Sequence, residues 1–272
     1  RRGPTDDPLK FWRRLTTGFA LAGLVAGTLA MLGLLFYDGG QRINLTVILA
    51  FVLLQCILAV VTTVQAFAGW QPWRWLLRKF AVARPSGALR TLQPLLMARA
   101  AHTGGLAFGV AGLITLLVLV VIQDLAFGWS TTLNTGTDSY YRMLSAIATP
   151  WQHLWPAAMP DRELVDATRF FRSQPSTTTD PALWGSWWPF VAMVWMTYVV
   201  LPRLALLMVA IVHPHMRARK ALRAHHGWVA LQYRMETPTV VTGNRHNDAA
   251  DQPDTTTSAK LQPIPRAQAI IR

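Results

Sequence analysis

The sequence is poor in charged residues and in cysteine. Only 14% of its 272 residues are charged, against the ~25% usual for soluble domains. Cys56 is the only cysteine, so an internal disulfide and a metal site built from several cysteines are both excluded. The chain has no P-loop, GxSxG, HExxH or CxxC motif. We therefore expect no catalytic residues, no cofactor and no metal, and a protein that is not an enzyme.

What the chain does have is long apolar runs. Hydrophobic residues make up 52% of it. Each run has about 22–26 residues, which at 1.5 Å rise per residue spans roughly 33–39 Å and is enough to cross a ~30 Å hydrocarbon core. We predict an all-α, polytopic membrane protein with four transmembrane helices, an outer helical cap and amphipathic cytoplasmic helices. The four runs are Leu15–Tyr37, Leu45–Trp70, Gly105–Phe127 and Trp188–Val212.

The basic residues lie on alternate sides of these runs. The net charge is +13, and most of it lies before the first run, between the second and third, and after the fourth. Between the first and second runs there is only Arg42, and the long segment before the fourth holds only Arg142, Arg162, Arg169 and Arg172. The positive-inside rule then places both termini in the cytoplasm and the long segment outside. A nucleic-acid partner is disfavoured, because the charges lie at span ends, where they meet anionic lipid.

Composition divides the chain into consecutive parts. Short amphipathic helices are predicted at Trp70–Phe80 in the linker, at Asp138–Ala148 and Pro160–Arg172 in the outer loop, and at His215–Met235 after the fourth span. The polar tail lacks the apolar side chains to fold alone, so we expect a partner wherever it is ordered. The parts are a basic cytoplasmic segment (1–14), the first three transmembrane helices (15–126) with a cytoplasmic amphipathic linker (71–104), an extracytoplasmic helical loop (127–187), the fourth transmembrane helix with its cytoplasmic extension (188–235), and the tail (236–272).

Small residues in the first and third runs predict close helix packing. Gly23 and Gly27 form one GxxxG pattern, and Gly105 and Gly109 form another. Glycines four apart lie on one helix face and let a second backbone approach closely. Packing within the chain and an interface between two copies of it are both consistent with this pattern.

Arg203 is the most unusual residue within an apolar run. It lies about 22 Å from the outer end of the fourth span by helix rise, and Pro202 before it should kink the helix. An arginine at that depth should face protein or water. Thr62, Thr63 and Gln65 of the second span lie at a similar depth in the membrane, so we expect them to be its neighbours. Gln55 should form a hydrogen bond to another helix. The alternatives are a structural polar clamp, a residue on an ion, lipid or proton path, and an arginine that reaches to the inner headgroups.

Two further groups of polar residues are weaker candidates. His213, His215, His225 and His226 have no accompanying carboxylate or thiol, so metal binding is disfavoured. Asp161, Glu163 and Asp166 have the spacing of a solvated helix face as much as that of paired catalytic acids. Neither group outweighs the expectation that the protein has no metal and no catalytic site.

Several short segments, taken in order, resemble a bacterial multi-pass inner-membrane family known only as a domain of unknown function. The resemblance implies a bacterial inner-membrane protein. Members of that family are often encoded beside a membrane-associated GTPase, so it also implies a GTPase partner, and it brings no catalytic residues. The segments are Phe36-Tyr37-Asp38-Gly39 with Ile43-Asn44, Gly128-Trp129-Ser130-Thr131-Thr132, Pro150-Trp151 with Trp155-Pro156, Leu164–Arg172, and Leu201-Pro202-Arg203.

Three functions follow as hypotheses. The first is a protein that acts through protein–protein interaction, as membrane anchor or partner of a cytoplasmic GTPase, another subunit or a second copy of itself, with the lipid bilayer as its surroundings. The second is a channel or transporter subunit with a polar path near Arg203. The third is a membrane enzyme acting at the outer cap. A closed helix bundle would favour the first, a water-filled cavity at Arg203 the second, and a cleft gathering the outer carboxylates the third.

Overall fold

A computed structural model describes residues 8–36, 42–68, 87–133, 135–170, 181–223 and 233. The chain forms two compact units, Arg1–Leu222 and Arg223–Arg272, and nearly all of the described residues belong to the first. The helix predicted at Trp70–Phe80 and the polar tail at 236–272 lie outside the described residues, as does most of His215–Met235.

The described chain is built almost wholly from helices. Two strands of two residues each are β1 (Ile43–Asn44) and β2 (Phe127–Gly128). A π-helical turn, Met196–Val200, joins the last two helices. The helices are α1 (Pro8–Leu34), α2 (Leu45–Ala68), α3 (Gly87–Ile122), α4 (Thr137–Ala148), α5 (Arg162–Ala167), α6 (Pro181–Gly185), α7 (Trp188–Trp195) and α8 (Leu201–Arg223), with a 3₁₀ turn at Pro156–Ala158.

Four helical stretches are long and apolar enough to cross a membrane, which confirms the predicted all-α, four-span class. They are Lys10–Leu34, Leu45–Ala68, Gln93–Ile122 and Ala182–Val212. We call the end of the bundle that carries α4 and α5 the cap end, and the other end the basic end. The helix of the third span begins earlier than the predicted run, because α3 is already helical at Gly87, within the predicted linker (71–104). Pro94 lies inside α3 and has no N–H to donate to the carbonyl of Arg90, four residues earlier.

Glycines on α1 set its contact with α3. A Cβ added at Gly23 would lie 2.1 Å from the carbonyl oxygen of Gly104, and one at Gly27 would lie 2.2 Å from that of Phe108. The two backbones therefore touch along this line, as small residues permit. Gly105 and Gly109 point elsewhere: an added Cβ would meet the guanidinium of Arg203 at 2.9 Å and the side chain of Val200 at 3.2 Å. On α3 it is Gly104 that faces α1.

The cap is tied to the spans by backbone pairing that the sequence did not predict. β1 and β2 pair in parallel, with Ile43 opposite Phe127 and Asn44 opposite Gly128. The pairing continues with Trp129, whose N–H donates to the carbonyl of Thr168 (3.2 Å) and whose carbonyl accepts from Phe170 (3.1 Å). α5 consequently ends at Ala167, well before the predicted Arg172, because the next residues bond to Trp129.

Tryptophans fill the core at the cap end. Trp129 is fully buried and stacks on Tyr140 at 4.0 Å between ring centroids, and its indole N–H donates to the carbonyl of Val165 (2.6 Å). The indole N–H of Trp187 donates to the hydroxyl of buried Thr168 (3.1 Å). Each of these large apolar rings therefore also satisfies its polar atom, which is what burial of an indole requires. The cap is packed onto the spans as part of one core.

Candidate intramembrane polar site

Arg203 is buried in the fourth span, with 6% of its surface exposed. It lies in the first turn of α8, and its guanidinium packs against the backbone of α3 at Gly105. One amino group donates to the backbone carbonyl of Gln55 on α2 at 3.5 Å, a long and weak bond. Three helices thus enclose the charge, in keeping with the expectation that an intramembrane arginine faces protein.

The guanidinium points toward the middle of the bundle and away from the basic end. Helical side chains lean toward the N-terminus of their helix, and for α8 that is the direction of the cap. Gln55, which accepts the hydrogen bond, lies about 15 Å from the start of α2 by helix rise, near the middle of a ~30 Å hydrocarbon core. The side chain therefore does not reach the headgroups at the basic end, and the third alternative for Arg203 is disfavoured.

No carboxylate within the spans can neutralise this charge. None of the four spanning segments contains an aspartate or a glutamate. The titratable side chains of the adjoining helices here, Cys56 of α2 and His102 of α3, are not carboxylates. A buried cation normally has a paired anion or a full set of hydrogen bonds. Arg203 has only the bond to Gln55 among the described residues.

Pro202 and Cys56 shape the helix just before Arg203. Proline has no N–H, so Pro202 cannot donate to the carbonyl four residues earlier, which belongs to Tyr198. The thiol of Cys56 donates to that carbonyl at 3.2 Å. The surrounding turn, Met196–Val200, is π-helical, a form often found at functional positions. Cys56 thereby links α2 to the irregular turn that presents Arg203.

His102 is the residue of this cluster that sequence reasoning missed. Only 2% of its surface is exposed, and its Nε2 lies 3.4 Å from the hydroxyl of Thr63. Its Nδ1 has no hydrogen-bond partner among the described residues. The sequence pattern places His102 in the cytoplasmic linker (71–104), just before the third run. The only signal in the sequence is a histidine close to an apolar run, and its burial follows from packing against α2, where Thr63 lies.

The other predicted neighbours of Arg203 are placed differently. The hydroxyl of Thr62 is exposed and donates to Leu58 within its own helix (2.7 Å). Gln55 contributes its backbone carbonyl to Arg203. Gln65 and Thr62 instead line a cavity of about 130 Å³ between α2 and α3, together with Pro94 and Met97. In the structure, therefore, Arg203 contacts the backbone of Gln55, and Thr63 contacts His102.

An aromatic cluster closes the bundle between Arg203 and the cap. Trp195 stacks on Phe51 of α2 and on Phe108 of α3, with ring centroids 6.1 Å away in each case. Its indole N–H donates to the carbonyl of Gly109 at 2.8 Å. A Cβ added at Gly112 would lie 2.6 Å from the Trp195 ring. The rings therefore fill the space between these three helices at this level.

The carboxylates of the cap make structural contacts. Asp161 caps α5 by accepting from the backbone N–H of Leu164 (2.6 Å), and Asp166 accepts from the hydroxyl of Thr137 (2.8 Å). Asp138 forms an exposed ion pair with Arg162. In the part of the chain that the structure describes, no three His, Cys, Asp or Glu residues are grouped as a metal site would require. The side chains of His213 and His215 fall outside that part, as do His225 and His226.

The fold and the cluster define a class: an α-helical membrane protein with four spans, a packed cap and a buried polar cluster around an arginine. The chain belongs to the family described as "Protein of unknown function (DUF2868)", whose model matches residues 58–270. This confirms the resemblance to a domain of unknown function. Comparison with curated proteins and with solved structures found no match.

Proposed function

We propose that this protein acts without catalysis, as an integral membrane protein of the bacterial inner membrane that binds a protein partner on its cytoplasmic face. A cytoplasmic GTPase is the partner that the resemblance implies, with this chain as its membrane anchor. The proposal places the basic end in the cytoplasm, where the positive-inside rule puts it.

The observation that carries this proposal is the aromatic closure at Trp195. A channel or transporter needs a polar path between its two faces, and such paths are lined by polar groups and water. At the level of Trp195 the space between α2, α3 and α7 is occupied by three stacked rings, and the indole N–H is bonded to Gly109. A closed bundle is the expected form of a protein whose working surface lies outside the membrane.

The second support is the location of charge. By sequence, α8 ends in a basic stretch that includes Arg217, Arg219 and Lys220, so we expect a positively charged surface at the basic end. Such a surface attracts acidic protein patches as well as anionic lipid, and it accelerates association. The cap end carries fewer basic residues, and Arg162 there is paired with Asp138.

The test is recruitment of a membrane-associated GTPase, the partner that the resemblance implies. Vesicles of neutral phosphatidylcholine containing the full chain should bind the purified GTPase, and empty vesicles should not. Reversing Arg217, Arg219 and Lys220 to glutamate should weaken recruitment at least tenfold, whereas Arg142→Glu in the cap should leave it unchanged. Equal binding to empty vesicles, or full recruitment by the triple variant, would overturn the proposal.

The alternative is a channel or transporter subunit, and the burial of two ionisable side chains within the spans, Arg203 and His102, is the observation that favours it. In that case ion flux through proteoliposomes should depend on the full chain and should change in Arg203→Met. Flux equal to that of empty vesicles would exclude a channel or transporter and would be consistent with the interaction proposal.

A further inference from the structure

We propose that the cavity between α2 and α3 binds one phospholipid, whose acyl chain fills the apolar part of the cavity while Gln65 donates to an ester carbonyl of its glycerol backbone. The inference goes beyond the partner-binding role above and does not depend on it, because the cavity opens on the flank of the bundle. The headgroup takes no part in the recognition.

The cavity has the lining that an acyl chain requires. Its volume of about 130 Å³ exceeds the roughly 10–15 Å³ that a single water molecule needs. Small side chains leave this room between the two helices, and most of the wall is carbon. The apolar residues of the wall are Ala66 of α2 and Pro94, Met97, Ala98 and Ala101 of α3.

The cavity opens to the side of the bundle, where the bilayer lies. Of the residues that line it, only Ala98 is buried, and the others are partly exposed. Val64 and Phe67, which are close by on α2, have 58% and 63% of their surface exposed, as is expected of apolar side chains that face lipid. A lipid molecule can therefore reach the cavity from the surrounding membrane.

Gln65 supplies the polar part of the site. Its side-chain amide has two N–H donors and one acceptor oxygen, and it has no hydrogen-bond partner among the described residues. Thr62, the other polar side chain of the wall, donates its only hydroxyl hydrogen to the carbonyl of Leu58 at 2.7 Å. The donors that the cavity offers to a ligand are therefore those of Gln65.

The depth of Gln65 identifies the acceptor. Gln65 lies about 30 Å from the start of α2 by helix rise, which is the thickness of the hydrocarbon core. α2 begins at Leu45, directly after Asn44, whose side chain donates to the carbonyl of Ser130 at the cap end. The opposite boundary of the core therefore falls near Gln65.

Ester carbonyls lie at that boundary, where each acyl chain joins the glycerol, and they accept hydrogen bonds without donating any. An amide beside an apolar cavity thus matches an ester and the acyl chain attached to it. Water could satisfy the amide of Gln65, but it would then lie against a wall that offers it almost no other hydrogen bond, whereas a buried water typically makes about three.

The experiment compares two lipids that differ only in the carbonyl groups. Dioleoyl phosphatidylcholine has two ester carbonyls, whereas its di-O-octadecenyl analogue, a diether, has the same headgroup and chains without them. The full chain is delipidated in detergent, and binding of the first lipid is titrated by native mass spectrometry. Gln65→Leu is the test variant. Gln123→Leu, at an exposed glutamine just beyond α3 at the cap end, is the matched control.

The wild type and Gln123→Leu should bind the diester about fivefold more tightly than the diether, which is the effect of one hydrogen bond between neutral groups. Gln65→Leu should bind the two lipids equally. The proposal is overturned if the wild type does not distinguish them, or if Gln65→Leu distinguishes them as well as the wild type does.

A second pair of variants tests the place of the acyl chain. Ala66→Leu fills part of the cavity, and Ala50→Leu adds the same bulk at an exposed position of α2 outside it. Ala66→Leu should bind both lipids about tenfold more weakly than Ala50→Leu, because losing contact with a few methylene groups costs about that much. Equal binding by these two variants would overturn the proposal. So would a wild-type dimer that is lost in Ala66→Leu, since a second copy of the chain would then cover the cavity.

Discussion

The thiol of Cys56 donates a hydrogen bond to the backbone carbonyl of Tyr198, 3.2 Å away, across the contact between α2 and the fourth span. This is the carbonyl that Pro202 cannot satisfy. A buried carbonyl without a donor costs about 1–3 kcal/mol, so the single cysteine of the chain does more than fill space. It supplies a donor to a carbonyl of the π-helical turn that precedes Pro202 and Arg203.

Replacing Cys56 should therefore distinguish a hydrogen bond from simple packing. Cys56→Ser keeps a donor and should hold the stability near that of the wild type. Cys56→Ala removes the donor and should lower the free energy of unfolding by about 1–2 kcal/mol. Unfolding of each variant in mixed detergent micelles, followed by tryptophan fluorescence, measures the difference. If alanine is tolerated better than serine, the bond to Tyr198 contributes nothing.

The contact between α1 and α3 gives a second prediction. An added methyl at Gly23 would lie 2.1 Å from the Gly104 carbonyl, so Gly23→Ala should push the helices apart and destabilise the bundle by about 1–3 kcal/mol. Gly18 and Gly33 are matched controls on the same helix, because nothing lies within 4 Å of a Cβ added there. Gly18→Ala and Gly33→Ala should each leave the free energy of unfolding unchanged or raise it slightly, since alanine is the better helix former.

Unfolding in mixed detergent micelles, followed by tryptophan fluorescence, measures these differences. A Gly23→Ala protein that is as stable as Gly33→Ala would mean that α1 does not hold the described position against α3. Loss of stability in all of the glycine variants would instead point to a contact on another face of α1, such as one with a second copy of the chain.

The membrane spans were predictable because their signal is local. A run of apolar residues long enough to cross the bilayer can form only a helix there, since every backbone group must be satisfied within the segment. The strands at Ile43–Asn44 and Phe127–Gly128 were not predictable in the same way. Each has two residues, and the pairing depends on where α2 and α3 place their ends. The early end of α5 has the same origin, because Thr168 bonds to Trp129, far away in sequence.

The polar cluster was partly predictable. Arg203 attracts notice because an arginine deep in an apolar run is rare and costly. Helix rise gave the correct span for its partner, but the acceptor is the backbone of Gln55, and no count of polar side chains reveals that. His102 escaped notice because it stands near the start of the apolar stretch of α3, among residues typical of a span end. Only the neighbouring helix shows that this position is buried.

Tyr140 gives a prediction for alkaline pH. Its hydroxyl lies 3.1 Å from that of Thr46, and burial raises the pKa of Tyr140 from 10.0 to about 12, although the bond to Thr46 lowers it somewhat. Between these values the unfolded chain releases a proton that the folded protein keeps, so stability must fall as the pH rises through this window. By pH 11 this one group should cost on the order of 1 kcal/mol.

Tyr140→Phe isolates that effect. The variant keeps the ring stacked on Trp129 and loses the ionisable group, so its stability should fall less than that of the wild type between pH 9 and pH 11. Parallel unfolding curves at several pH values give the comparison, with Tyr141→Phe, whose ring is less deeply buried, as the control. Identical slopes for wild type and Tyr140→Phe would show that the tyrosine ionises in the folded protein as freely as in the unfolded one.

The last prediction concerns orientation. Leu154 lies in the cap with 86% of its surface exposed, and Tyr233, beyond α8, is 70% exposed. If the basic end is cytoplasmic, as the positive-inside rule predicts, a cysteine at Leu154 should react with a membrane-impermeant maleimide added to intact cells. A cysteine at Tyr233 should react only after the cells are broken. Both variants are made with Cys56→Ser, so that the introduced thiol is the only one. The opposite pattern would put the basic end outside and contradict a cytoplasmic partner there. Labelling of both sites in intact cells would contradict the single span between Leu154 and Tyr233. A cytoplasmic marker enzyme checks that the cells are sealed.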